Sequence, residues 1–186
     1  MEPDDEALLA RSAAGDRQAS ALLINRHSPR VLSLGQRMLG SREDAEDVCQ
    51  DVFIKMFRQA ASWESGKAKF TTWLHRVTLN ACYDRLRRKR ETAMDEPPEQ
   101  PDDRPGPASQ MLAAQRQARL KIAIDALPER QRAALLLSHY EELSNIETAD
   151  ILEISVEAVE SLLGRARRSL RQALAQERHT LLGEVD

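Results

Sequence analysis

One stretch decides how this chain can be organised: DEPPEQPDDRPGPASQ, from Asp95 to Gln110. Its prolines fix φ and remove backbone donors, and none of its residues would fill a core, so it is expected to stay extended and solvated. A chain of 186 residues with such a break reads as two small domains. The expected division is residues 1–94, a flexible acidic linker at 95–110, and residues 111–186.

Charge follows the same division. The first part carries 16 Lys and Arg against 13 Asp and Glu, the linker 1 against 5, and the last part 10 against 12. The overall charge of −3 therefore does not exclude a nucleic-acid partner, because positive charge can gather on one helix of an acidic protein. The amino terminus, MEPDDEALLARSAAGD, is acidic where a secretory signal is basic. No apolar run approaches the roughly 18 residues that span a bilayer, so a cytoplasmic location without membrane insertion is expected. Cys49 and Cys82 lie in apolar-periodic segments without CxxC spacing, and each reads as a small buried hydrophobe.

Aromatic residues make up only 4 % of the chain and β-branched runs are lacking, while apolar residues recur at three-four spacing, so the fold class is all-α. A first helix is expected from Asp4 to Ala14, broken at Gly15-Asp16. A second resumes with Ala19, Leu22 and Leu23 on one face, and Pro29 should kink or restart it before Val31, Leu34 and Met38. Gly40-Ser41 ends that helix, and Ser41 with Asp44 opens a third that buries Ala45, Val48, Val52 and Met56. The opposite face of the third helix shows Glu43, Glu46, Asp47, Gln50 and Asp51, with Phe53 and Phe57 close by.

A loop from Ala60 to Lys69, containing Trp63 and Gly66, leads into a long helix from Thr71 to Arg90. There Phe70, Leu74, Val77 and Ala81 should face the core. A second stripe, Arg76, Asn80, Tyr83, Arg87 and Arg90, also falls on one face, with Arg85, Arg88 and Lys89 thickening its end. Amide and guanidinium donors around an aromatic ring suit a nucleic acid with unstacked bases, and a merely solvated helix end is the other reading.

Beyond the linker a helix is expected from Leu112 to Leu127. A second begins at Leu127-Pro128-Glu129, with proline in its first turn, carries Ala133, Leu136 and Leu137 inward, and stops near His139-Tyr140. Ser144 with Glu147 forms a capping box for a short helix to Leu152. Ser155 then caps a final helix with Val156, Val159, Leu163, Ala166, Leu170 and Ala173 inside and Arg165, Arg167, Arg168 and Arg171 near its end. This is the layout of a DNA-binding helix-turn-helix, although a small helical bundle shares it.

Three segments resemble one family. GSREDAEDVCQDVFIKMFR is similar to region 2.2 of extracytoplasmic-function sigma factors, and FTTWLHRVTLNACYDRLRRKR to regions 2.3 and 2.4. LPERQRAALLLSHYEELSNIETADILEISVEAVESLLGRARRSLR is similar to region 4. The resemblance implies a factor that binds core RNA polymerase and directs promoter recognition, DNA melting and transcription initiation at a stress-responsive set of promoters. On these residues it implies docking of Asp47, Gln50, Asp51 and Phe53 on the beta-prime coiled coil, and of the surface around Leu135 to Leu137, with Leu136, on the beta flap. Acidic side chains against a basic coiled coil would steer that encounter.

For the minus-ten element the resemblance implies a pocket for a flipped base at Ala61 to Phe70, including Trp63 and Phe70, beside Asn80 and Tyr83. Extruding a base costs a few kcal/mol that the pocket contacts must offset. Arg76, Arg87 and Arg88 would hold phosphates or the duplex edge. For the minus-thirty-five element the resemblance implies Ser155, Glu157, Ala158, Glu160, Ser161, Arg165 and Arg168 in the major groove. The linker would run near the RNA exit path of the polymerase, and an anti-sigma factor would hold the protein in check, in some cases at the inner membrane.

Glu157 and Glu160 depart from the family, which usually has a small residue and a lysine there. Glutamate can accept from cytosine N4 but repels phosphate, so weak binding by this half alone, compensated by avidity in the holoenzyme, is expected. No cofactor, metal, small-molecule substrate or catalytic group is expected. Two rival readings differ in class. A stand-alone helix-turn-helix regulator would bind DNA without polymerase. An enzyme would use Glu43, Asp44, Glu46, Asp47 and Asp51 as a metal-carboxylate site, but His27, His75, His139 and His179 supply no Glu-x-x-His pair.

Overall fold

In the computed structural model, residues 3–93 other than 65, 67 and 68, and residues 108–182, are described; their side chains are described up to 92 and from 117 to 175. The described residues form eight helices and no strand: α1 (Asp5–Ala13), α2 (Arg17–Leu39), α3 (Arg42–Ala60), α4 (Phe70–Ala93), α5 (Ala108–Asp125), α6 (Glu129–His139), α7 (Asn145–Leu152) and α8 (Val156–Leu182). Two compact units divide the chain, residues 1–88 with 149–153 and the remainder. Of the expected linker, 95–107 lies outside the described residues, and 108–110 already belong to α5.

Short-range chemistry sets the helix ends in the first unit. Asp4 accepts from the Ala7 N–H at 2.7 Å, and Asp16 Oδ1 accepts from Gln18 and Ala19, so each aspartate satisfies donors that its helix leaves open. Gly40 closes α2 at φ 69°, a left-handed conformation that glycine takes without a Cβ penalty, and Ser41 caps α3 by accepting from Asp44 N–H at 3.3 Å.

Pro29 neither ends nor restarts α2, which runs unbroken through it. A proline inside a helix costs about 3 kcal/mol. The apolar face offsets this, because Ala19 and Leu23 before the proline and Val31, Leu34 and Met38 after it are all buried, each leucine contributing roughly 1.5–3 kcal/mol. Leu22 is 45 % exposed instead of sharing that face. Where α2 meets α3, a Cβ on Gly35 would lie 3.3 Å from the Ala45 Cβ, so two small residues let these helices approach closely.

The core face of α3 is the expected one, with Ala45, Val48, Val52 and Met56 buried, but Phe53 joins it. On α4, Phe70, Leu74 and Ala81 are buried as expected, whereas Val77 is only half-buried and Leu79 and Cys82 complete the face. A charged fork ties the two helices together: Arg85 donates from Nε to Asp44 Oδ1 at 2.9 Å and from Nη2 to Asp47 Oδ2 at 2.7 Å.

In the second unit, α8 packs against α5 and α6, and Ala133, Leu136, Leu137, Val159 and Ala166 are fully buried. Val156, Leu170 and Ala173 are half-buried at the margin of this face. Pro128 occupies the N-cap of α6, one position before the first turn. From α6 the buried Arg132 donates back to the Asp125 and Leu127 carbonyls, placing a cation on the carboxyl end of α5.

Candidate nucleic-acid interface

The outward face of α4 is built from the expected stripe. Asn80 and Arg87 are exposed, Arg88 and Arg90 extend the exposed end, and Arg76 and Tyr83 lie half-buried on the same side. Arg87 is held 2.9 Å from Asp84, one turn back, but 64 % of its side chain stays in solvent. Arg85 is removed from this list because its guanidinium is committed to α3.

At the amino end of α4 the stripe meets an aromatic cluster. Phe70 stacks on Trp73 with centroids 5.8 Å apart, and Trp63 lies edge-on to both at 5.9 Å. Phe70 is 3 % exposed, so it belongs to the core behind this cluster and offers no face to a ligand. Trp63 is half-buried at the start of the loop, while 65, 67 and 68 of the expected pocket lie outside the described residues. Trp73 was not singled out in the sequence although, three residues after Phe70 and four before Val77, it falls on the same apolar repeat of α4.

On α3 most of the acidic stripe faces solvent, but its expected aromatic partner does not. Gln50 and Asp51 are exposed, and Asp47 is half-exposed but paired with Arg85. Phe53, 6 % exposed, belongs to the core and offers no docking surface. The large apolar side chains exposed on this helix are instead Ile54 at 46 % and Phe57 at 39 %. The signal was their spacing: Gln50, Ile54 and Phe57 are four and three residues apart, on one helix face.

Leu136 must also be withdrawn as a docking residue. It is completely buried with Leu137, and only Leu135 is partly exposed, because α6 turns its apolar face onto α8.

The capping box of α7 is complete: the Ser144 N–H and hydroxyl both donate to Glu147 Oε2, and Glu147 N–H donates back to Ser144 Oγ at 3.2 Å. Glu153, at φ 54°, turns the chain into Ser155, whose Oγ accepts from Ala158 N–H at 3.2 Å to open α8. A short helix, a three-residue turn and a longer helix reproduce the order of a helix-turn-helix. Along α8, Glu157, Glu160, Ser161, Arg165 and Arg168 are exposed and Ala158 is half-buried, so carboxylates occupy the first turns and arginines the later ones.

The Glu157 carboxyl is held below its usual range, first by its own backbone N–H and then by Ser155. The cysteines are both free; burial pushes the Cys82 thiol up to about 12, so it stays protonated in the core. Cys49 is only half-buried, less than expected, and its thiol is raised by burial and by Glu46. Among the described residues no helix is long and apolar enough to cross a membrane, and no group of three His, Cys, Asp or Glu could hold a metal ion.

Two family models match, Sigma-70 region 2 over residues 23–92 and Sigma-70 region 4 over residues 117–170. The ECF RNA polymerase sigma factor SigE of Mycolicibacterium smegmatis is 35 % identical over 185 residues, covering 95 % of this chain and 71 % of that protein. The chain is an extracytoplasmic-function sigma factor. ECF RNA polymerase sigma factor SigM of Mycobacterium tuberculosis is also 35 % identical, over 93 % of this chain and 86 % of its own. Among solved structures, CnrH in complex with the cytosolic domain of CnrY has a TM-score of 0.68 at 28 % identity, covering 92 % of this chain and 97 % of CnrH. This sigma factor therefore binds core RNA polymerase and promoter DNA and directs promoter-specific transcription initiation; such factors regulate initiation and are not classical enzymes.

Proposed function

We propose that residues 1–94 melt and hold the minus-ten element while α3 docks on the polymerase, and that residues 111–186 read the minus-thirty-five element through α8. The observation that carries this is the placement of Asn80 and Arg87 on the face of α4 that leads away from the Trp63 loop. An amide beside an aromatic wall can receive an unstacked base, and the guanidinium groups further along can hold the backbone. Asn80, Tyr83 and Trp63 would form the base site, with Arg87 and Arg88 on phosphates; the expected Arg76 is committed instead to the Asp150 carbonyl and, at 2.9 Å, to Glu153. Gln50 and Asp51, with Ile54 and Phe57 beside them, combine charge steering with apolar area and suit the beta-prime coiled coil.

Seen this way the protein has no catalytic activity of its own and acts in the cytoplasm, where its polymerase is. Its promoters would be a stress-responsive set. CnrH is solved with the cytosolic domain of CnrY, and a comparable anti-sigma partner is proposed here.

Run-off transcription with bacterial core polymerase on a promoter library tests the reading. New start sites sharing upstream elements are expected with the protein and absent without it. Replacing Ile54 and Phe57 together with serine should cut capture by core polymerase about tenfold while leaving helicity unchanged. Promoter binding with no polymerase-dependent start site would replace the reading with that of a stand-alone regulator.

A further inference from the structure

Helix α1 lies ahead of the segment that matches region 2, and its Asp5 reaches across to α2. Arg26 Nη1 donates to Asp5 Oδ1 at 2.7 Å, and His27 Nε2 sits 3.0 Å from Asp5 Oδ2, at charge-pairing distance. Burial raises the pKa of this carboxyl, but His27 and Arg26 outweigh it and hold the group below its usual 3.8. Asp5 is thus an anion under all ordinary conditions.

The His27 ring, buried to 7 % side-chain exposure, continues inward. It meets Phe70 edge-on, with centroids 5.2 Å apart and planes at 67°. Phe70 in turn stacks on Trp73 and takes the edge of Trp63. A carboxylate on α1 is therefore linked through a histidine and three rings to the first residues of the loop before α4. Edge-to-face contacts depend on ring orientation, so a histidine free to turn would alter the seat of each ring behind it.

We infer that Asp5 and His27 are positioning residues for promoter opening, which set the cluster of Trp63, Phe70 and Trp73 without touching DNA. The inference rests on the reading of that loop as the base site. Asp5 fixes the edge that His27 presents to Phe70, and Phe70 carries Trp63. A small displacement of a recognition wall costs rate out of proportion to its size.

The chain has two tryptophans, Trp63 and Trp73, and both lie in the cluster, so the intrinsic emission of the full-length protein reports it directly. Asp5→Asn, which keeps shape and removes charge, and His27→Ala should both shift that emission. Both should also slow open-complex formation with core polymerase about tenfold while leaving capture of core polymerase unchanged. His27→Phe, which keeps a ring against Phe70 but leaves Asp5 no ring nitrogen to hold, should shift both readouts in the same direction as Asp5→Asn. Unchanged emission and unchanged opening in Asp5→Asn would overturn the positioning role. Shifted emission with unimpaired opening would instead show that the loop is not the base site.

Discussion

Arg85→Ala should lower the temperature at which the first unit unfolds by roughly 10 °C. Arg85 holds two carboxylates of α3 from its place on α4, and the Asp44 side chain is only 8 % exposed. Removing one partner of a buried pair costs about 3–5 kcal/mol, because the other charge is left in a poor solvent. One third of the Arg85 side chain is in water, so screening brings the expected cost to about 2 kcal/mol. Arg85→Lys should recover little of it, since a point charge cannot fork onto two carboxylates. Thermal unfolding of the full chain followed by circular dichroism measures the effect. A change of less than about 2 °C would mean that the fork contributes nothing to the unit. The same variant releases Asp47 from α4, so a gain in its contribution to polymerase capture should accompany the loss of stability.

That fork also marks where the sequence stopped being legible. Arg85 sits in a run with Arg87, Arg88, Lys89 and Arg90, and as a run the five are alike; only the position of α3 across from α4 separates a structural guanidinium from those facing solvent. The same holds for aromatic residues. Phe53 and Phe57 are one helical turn apart, and the three-four repeat alone does not say which side of the apolar stripe each completes. What periodicity and capping chemistry express locally was readable: the buried set of α3, the Ser41 and Ser144 caps, and the three-residue turn before α8. Pro29 misled because its local cost is real, while the packing that outweighs it is distributed along α2 from Ala19 to Met38. Leu136 misled for the opposite reason, since an apolar patch on a helix looks the same whether a partner helix or a partner protein covers it.

Glu160→Ala should relax the base preference of the minus-thirty-five element at one position, reducing discrimination in favour of cytosine by about ten- to a hundredfold. The two glutamates that open α8 are not equivalent. Glu157 accepts from Ser155 and from its own backbone N–H, so its ionised carboxylate serves the start of the helix, where the dipole favours an anion. Glu160 is exposed a turn further on, beside Ser161 and ahead of Arg165, where a recognition helix meets base edges. On the proposed reading a carboxylate there would accept from cytosine N4 and be repelled by phosphate, exchanging general affinity for selectivity. Holoenzyme run-off rates on promoters varied at each upstream position separate the two residues. Glu157→Ala should weaken every promoter alike through a less stable helix start, whereas Glu160→Ala should raise activity on non-cognate sequences and flatten the preference at one base pair. If Glu160→Ala strengthened all promoters in equal proportion, the carboxylate would be acting on phosphate alone, and the selectivity of this helix would have to come from Ser161 and the arginines behind it.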